Sequence, residues 1–306
     1  MNKREFIKRA LDTSNAFIST DSEAVAVNPN IWDFRLRDYE EKNLVITPQV
    51  EQFDFRGPGV DYKVTIDEAP TAAAALVETD DVSISSFSTR NVTFTPTEYG
   101  AAYQLTRKEA VRAFFNVAER MVKKLGYALA QKKDGLAVTT INAGATHSVF
   151  ANSKTIASDI ASTDTIAYDD LTEAIRDIEN SLYTPMKLFL SYGQKQQLLD
   201  LQTVNQADKF GTRSAVANGL IGELFGLEIF VSHSITEETS GSATYHRAIV
   251  MGQSKTGEQA LGYAIKRDPI IEREYHARGR YWDIVAHEEY DFQVLHPNAL
   301  CLIYTY

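Results

Sequence analysis

The chain has 306 residues, 44% of them hydrophobic, and a formal net charge of -10. That apolar content excludes wholesale disorder, and the acidic balance repels nucleic acid in general, which argues against a dedicated DNA-reading module, with the N-terminus as the local exception. The one cysteine, Cys301, excludes an internal disulfide or a cysteine-rich zinc site.

The first residues, MNKREFIKRALDTSNAF, place Lys3, Arg4, Lys8 and Arg9 against Glu5, which reads as a solvated first helix, with a nucleic-acid or scaffold contact as the competing reading. They form a short amphipathic stretch through Phe6, Ile7, Ala10 and Leu11, with no apolar core behind it, so they do not read as a secretory signal. Irregular sequence follows, with Phe34, Leu36 and Tyr39 alternating weakly with charges. Residues 1–45 read as an arm rather than a folded unit.

Residues 46–105 read as strands. Gly57-Pro58-Gly59 is a turn signal, after which Val60, Tyr62, Val64 and Ile66 alternate with Asp61, Lys63, Thr65 and Asp67. Val82 and Ile84, then Val92 and Phe94, repeat the period of two. The pattern predicts a long two-stranded excursion with its tip near Ala72–Ala75. Such a hairpin is marginal in water alone, so its apolar face needs a partner from its own domain or from another chain.

Thr106-Arg-Lys-Glu109 is a capping box. Val111, Phe114, Ala118, Met121, Leu125 and Ala128 then share one helical face, predicting a helix from Thr106 to about Asp134-Gly135, roughly 40 Å long. Turn-rich sequence with short strands is expected over 136–168. A second helix is expected from Asp170-Leu-Thr-Glu173, with Leu171, Ala174, Ile175, Ile178 and Leu182 inward and Thr184-Pro185 as its stop. Lys187–Ser191 reads as a buried strand. Ser191 and Gln194 make another capping box, and GLIGELFGLEIFVS leads into a strand at Glu228–Ser232. Strands are expected at Arg247–Met251, at Ala260–Lys266 and through the last forty residues.

Chemistry is sparse. The histidines are His147, His233, His246, His276, His287 and His296, none at the spacing of a helical zinc pair. In His287-Glu288-Glu289 only His287 and Glu289 could converge, because strand neighbours face opposite ways; a solvated strand face is the competing reading. Gly252-Gln-Ser-Lys-Thr-Gly257 resembles a phosphate loop until Glu258-Gln259, where lysine and a hydroxyl residue are needed, so it reads as a surface turn. Cys301 lies in Ala-Leu-Cys-Leu-Ile, a packing context. No catalytic residue, cofactor site or metal site is assigned, and the chain is not read as an enzyme. No apolar run reaches the ~18 residues of a membrane span.

Arm, hairpin, long helix, α/β middle and β return, in that order, resemble the major capsid proteins of tailed bacteriophages, the Hong Kong 97-like fold. The GLIGELFGLEIFVS segment looks like that family's Gly-x-Leu-x-Gly before a strand, and Gly279-Arg-Tyr-Trp-Asp283 and Val294–Ala299 have its texture. The resemblance implies an α+β fold with five parts: an N-terminal arm at 1–45, an E-loop β-hairpin at 46–100, a peripheral domain with the spine helix at 101–140, an axial domain at about 141–265, and return strands at 266–306. It implies a head protein that assembles with itself into hexamers and pentamers of an icosahedral shell. That shell would enclose double-stranded DNA without reading its sequence. A separate scaffolding protein and a portal are the implied partners, with no membrane, and the implied location is the virion, assembled in the host cytoplasm. Arg56, Asp61, Lys63, Glu78 and Arg90 of the E-loop are the expected inter-subunit contacts. An encapsulin-like nanocompartment shell, a tail or neck protein, and an α+β enzyme are the rival readings.

Overall fold

A computed structural model describes residues 36–37, 40, 44–67, 89–112, 117–200, 223–241 and 243–306. The arm before Leu36, the expected hairpin tip at Ala72–Ala75, the Val82/Ile84 alternation, Phe114 and the glycines Gly219 and Gly222 lie outside them. The chain divides into two compact units, one of residues 1–48, 97–136 and 266–290, the other of 49–96, 137–265 and 291–306.

In the first unit, strand β4 (Thr97–Thr106) runs antiparallel to the start of β12 (Tyr281–Val294), from Tyr281 opposite Thr106 to Tyr290 opposite Thr97. The far half of β11 (Leu261–His276) lies on the other side of β12. The Thr106–Glu109 box forms as expected. The Glu109 amide donates to Thr106 Oγ1 at 3.3 Å, and the Thr106 amide donates to Glu109 Oε2 at 3.2 Å. It opens helix α1 (Arg107–Arg112), and helix α2 spans Val117–Gly144. Two expectations for this helix are corrected. It passes through Gly135 rather than ending there, since Gly135 has no left-handed backbone and Asp134 is held by partners elsewhere. Its buried stripe runs through Val122, Leu125, Leu129 and Lys133, while Ala128 faces solvent. Val122, Leu125 and Leu129 pack with Leu36, Leu105, Ile271, Ile284 and Ala286 as the core of this unit.

In the second unit, a sheet has the order β5-β13-β10-β6-β8-β7, with β9 also on β10. These strands are β5 (His147–Phe150), β6 (Thr184–Leu190), β7 (Glu223–Leu224), β8 (Leu227–Val231), β9 (Glu238–Ser240), β10 (Ala243–Gln253) and β13 (Leu300–Thr305). β6 and β10 pair antiparallel, and their Leu188–Leu190 and Ala248–Met251 segments are buried throughout. Helix α3 (Tyr168–Asn180) buries Leu171, Ala174 and Ile178 against this sheet. It starts before the expected Asp170, because the Ala167 amide donates to Asp170 Oδ2 at 2.9 Å. Leu182, expected inward, is instead 68% exposed in a left-handed turn with φ 67°. The Ser191–Gln194 box opens α4 (Tyr192–Asp200), with reciprocal bonds of 3.1 and 3.2 Å. Cys301 is buried in the same core, and burial pushes its thiol up to about 12.

Candidate functional site: the β2–β3 hairpin and the clasp on α2

The alternation at 62–67 and 92–94 is realised as a two-stranded antiparallel sheet. Strand β2 (Tyr62–Asp67) pairs with β3 (Thr89–Phe94), from Tyr62 opposite Phe94 to Asp67 opposite Thr89. Val60 is not on its inner face. It lies before the ladder and is 71% exposed, because the turn at Gly57–Gly59, closed by Tyr62 Oη donating to the Gly57 carbonyl at 2.9 Å, delays the strand.

The hairpin is not without a core in its own unit. β1 (Glu51–Asp54) lies parallel to β11 from Glu51 opposite Gly262 to Asp54 opposite Ile265. Val92, Phe94, Ala264 and Leu295 are buried together, with Phe53, Phe55, Tyr62, Val64 and Ile66 packed on them. The Phe55 and Tyr62 rings stack at 4.4 Å, and Phe53 meets Phe94 at 5.7 Å. Single-residue alternation announces the inner face but not its cover, which comes from residues some two hundred positions away.

The expected contact residues fall into different settings. Arg90 donates to the Leu295 carbonyl, which ties β3 down within its own unit. Asp61 accepts from Thr95 Oγ1 at 2.9 Å, while the Thr95 amide donates to Asp291 at 2.9 Å. Arg56 pairs with Asp54 at 3.4 Å, both being well exposed. Lys63 is on the exposed face of β2. Glu78 lies outside the described residues.

A second constellation, in the first unit, was not legible in the sequence. Lys133 of α2 is 4% exposed and pairs with Glu40, 2% exposed, and with Glu288 of β12, 1% exposed, the latter at 2.5 Å. The Tyr290 ring centroid is 5.1 Å from the Lys133 ammonium. The next residue, Asp134, accepts the Val45 and Ile46 amides at 2.7 and 3.2 Å through Oδ2, and the Thr47 amide and hydroxyl at 3.1 and 2.8 Å through Oδ1. Two adjacent buried polar residues of one helix thus hold Glu40 and Val45–Thr47. Burial pushes the Glu288 carboxyl up to about 8, with Glu40 adding to the rise and Lys133 opposing it. His287 and Glu289 share the opposite strand face, as the period of two requires. There His287 lies 3.8 Å from Glu98, and Glu289 pairs with Lys266 at 3.0 Å, rather than forming a wholly solvated face.

Among the described residues no cluster of His, Cys, Asp and Glu has the geometry of a metal site, and no helix is long and apolar enough to cross a membrane. The Gly252–Gly257 segment ends in a turn closed by the Gly257 amide on the Ser254 carbonyl at 2.9 Å.

The described residues thus form an α+β chain with a two-stranded hairpin, a long helix packed on strands and a mixed sheet. The sequence profile of the phage capsid protein family matches residues 90–286, well over half of the chain, and the protein belongs to that family. Its fold is similar to the capsid of cyanophage P-SCSP1u, with a TM-score of 0.66 and 15% identity over 86% of this chain and 89% of that one. It is similar to the bacteriophage PhiM1 mature capsid, with a TM-score of 0.63 and 13% identity over 85% and 86% of the two chains. It is also similar to a virus-like particle from Pyrococcus furiosus, with a TM-score of 0.59 and 14% identity over 90% and 98%. No match was found among curated proteins. The chain has the α+β Hong Kong 97-like fold, and it is a self-assembling capsid shell protein of the virion rather than an enzyme.

Proposed function

We propose that this chain is the major head protein of a tailed phage, closing as hexamers and pentamers into an icosahedral shell around double-stranded DNA. Segment 46–100 would act as the E-loop, lying across a neighbouring subunit, with the 1–45 arm beneath another, the spine in 101–140, the axial domain at about 141–265 and return strands at 266–306. The observation that carries the reading is the family match over residues 90–286. The acidic net charge of -10 supports a shell that encloses DNA without gripping it, since phosphate binding would oppose packing and release. A separate scaffolding protein, a portal and assembly in the host cytoplasm belong to this reading.

Arg56, Asp61, Lys63, Glu78 and Arg90 remain the proposed inter-subunit contacts. Lys63 stands on the exposed face of β2, and Arg90 would act by fixing the hairpin base.

The test is expression of the chain alone and with candidate scaffolds, followed by sizing and negative-stain microscopy. Closed shells, or capsomers of five and six, are expected; a stable monomer or dimer at high concentration under every condition would overturn the reading, and open tubes would favour a tail or neck role. The likeness to the Pyrococcus furiosus particle supports one alternative, a nanocompartment, in which purified shells would carry protein rather than nucleic acid.

A further inference from the structure

The cluster at Lys133 has an arithmetic that the fold alone does not need. Among the described residues, one ammonium faces two carboxylates in a site where all three residues are at most 4% exposed. Glu288 Oε1 is buried with no hydrogen-bond partner among the described residues. A second buried negative charge without its own cation is strongly disfavoured, so such a site keeps one proton. Among the described residues, the groups facing it include Glu40 from the arm, Lys133 and Asp134 from α2, and Glu288 and Tyr290 from β12. Tyr99 of β4 lies against Tyr290 with ring centroids 4.8 Å apart. Asp134 is occupied by the Val45–Thr47 donors, and His287 and Glu289 are on the other strand face.

We propose that Glu40, Lys133 and Glu288 form a proton-loaded clasp that holds Glu40 and Val45–Thr47 on helix α2 and loosens as the pH rises. With Glu288 protonated, one positive charge meets one negative charge and the site is balanced. Loss of that proton leaves an excess buried carboxylate, which is relieved only by opening the site to water. Opening lifts Glu40 away, and the adjacent amides of Val45, Ile46 and Thr47 leave Asp134 with it.

The sign follows from the two protonation states. The closed form holds the Glu288 proton up to about 8, while a hydrated glutamate releases it near 4.5. Between these values the closed form binds one more proton than the open form. Opening is therefore favoured by up to about tenfold per pH unit across that window and levels off above it.

Hydrogen exchange read by mass spectrometry on the purified full-length chain tests the clasp, using the peptide that spans Val45–Thr47. Wild type is compared with Glu288→Gln at matched pH, which cancels the intrinsic base catalysis of exchange. The wild-type rate relative to the variant should climb with pH up to about 8 and then flatten. A ratio that stays constant across the range overturns the proposal. Lys133→Met should speed exchange of the same peptide at every pH while peptides from β6 and β10 stay protected; an unchanged rate also overturns it. If Lys133→Met does not fold, the Glu288→Gln comparison decides alone.

Discussion

Leu182 closes α3 in a left-handed conformation, φ 67°, with its side chain 68% exposed. A leucine there costs roughly 1–2 kcal/mol of backbone strain relative to a right-handed residue, and asparagine tolerates the region better. Leu182→Asn should therefore raise the unfolding temperature of the isolated subunit in calorimetry. If the leucine is buried in the shell, the same change should lower particle yield; a raised melting temperature with undiminished yield would remove Leu182 from the interface. Gly262 makes the opposite case. A Cβ there would sit 2.9 Å from Phe94 Cζ and 3.0 Å from Phe53 Cε2, inside the hairpin's packed base. Gly262→Ala should cost about 1–3 kcal/mol in denaturant unfolding, as overpacked cores do; a neutral result would mean that the aromatic cluster is looser than its geometry.

The β2–β3 ladder pairs Asp67 directly opposite Thr89, so the two strands can be joined there without disturbing Val92 and Phe94. Replacing residues 68–88 by Asn-Gly, a two-residue hairpin turn, should leave the subunit folded and abolish shell formation. Circular dichroism and microscopy check the two halves of that outcome. Assembly by the shortened chain would remove the E-loop role from this segment. Removing 57–96 whole is a worse experiment, because it strips Val92 and Phe94 from the core shared with Leu295. Features legible in the sequence are those closed within a few residues: the boxes at Thr106 and Ser191, the β2 alternation and the packing of Cys301. Features missed depend on remote partners. Lys133 reads as an ordinary exposed helix charge until Glu40, 93 positions away, is brought beside it. Asp134 reads as a helix end until Thr47, 87 positions away, donates to it. Glu288 reads as a strand charge like its neighbours because nothing local shows that its face is buried.

For the whole molecule, a subunit of charge -10 must gather with copies of itself. Surface repulsion between like-charged subunits weakens with salt, since the screening length falls from about 10 Å at 0.1 M to about 3 Å at 1 M. The concentration at which particles appear should fall as salt is raised, as light scattering would show; the reverse trend would place ion pairs, not apolar burial, at the centre of the contacts. The packing of Cys301 has a practical consequence for following that process. The chain's one thiol is buried, and its ionisation is pushed up to about 12, so it is nearly inert to alkylating dyes at neutral pH. A cysteine introduced at Lys63 would then be the sole reactive handle. Loss of its labelling on particle formation would mark β2 as covered by a neighbour, and retention would leave that strand face open to attachment of foreign groups on the finished shell.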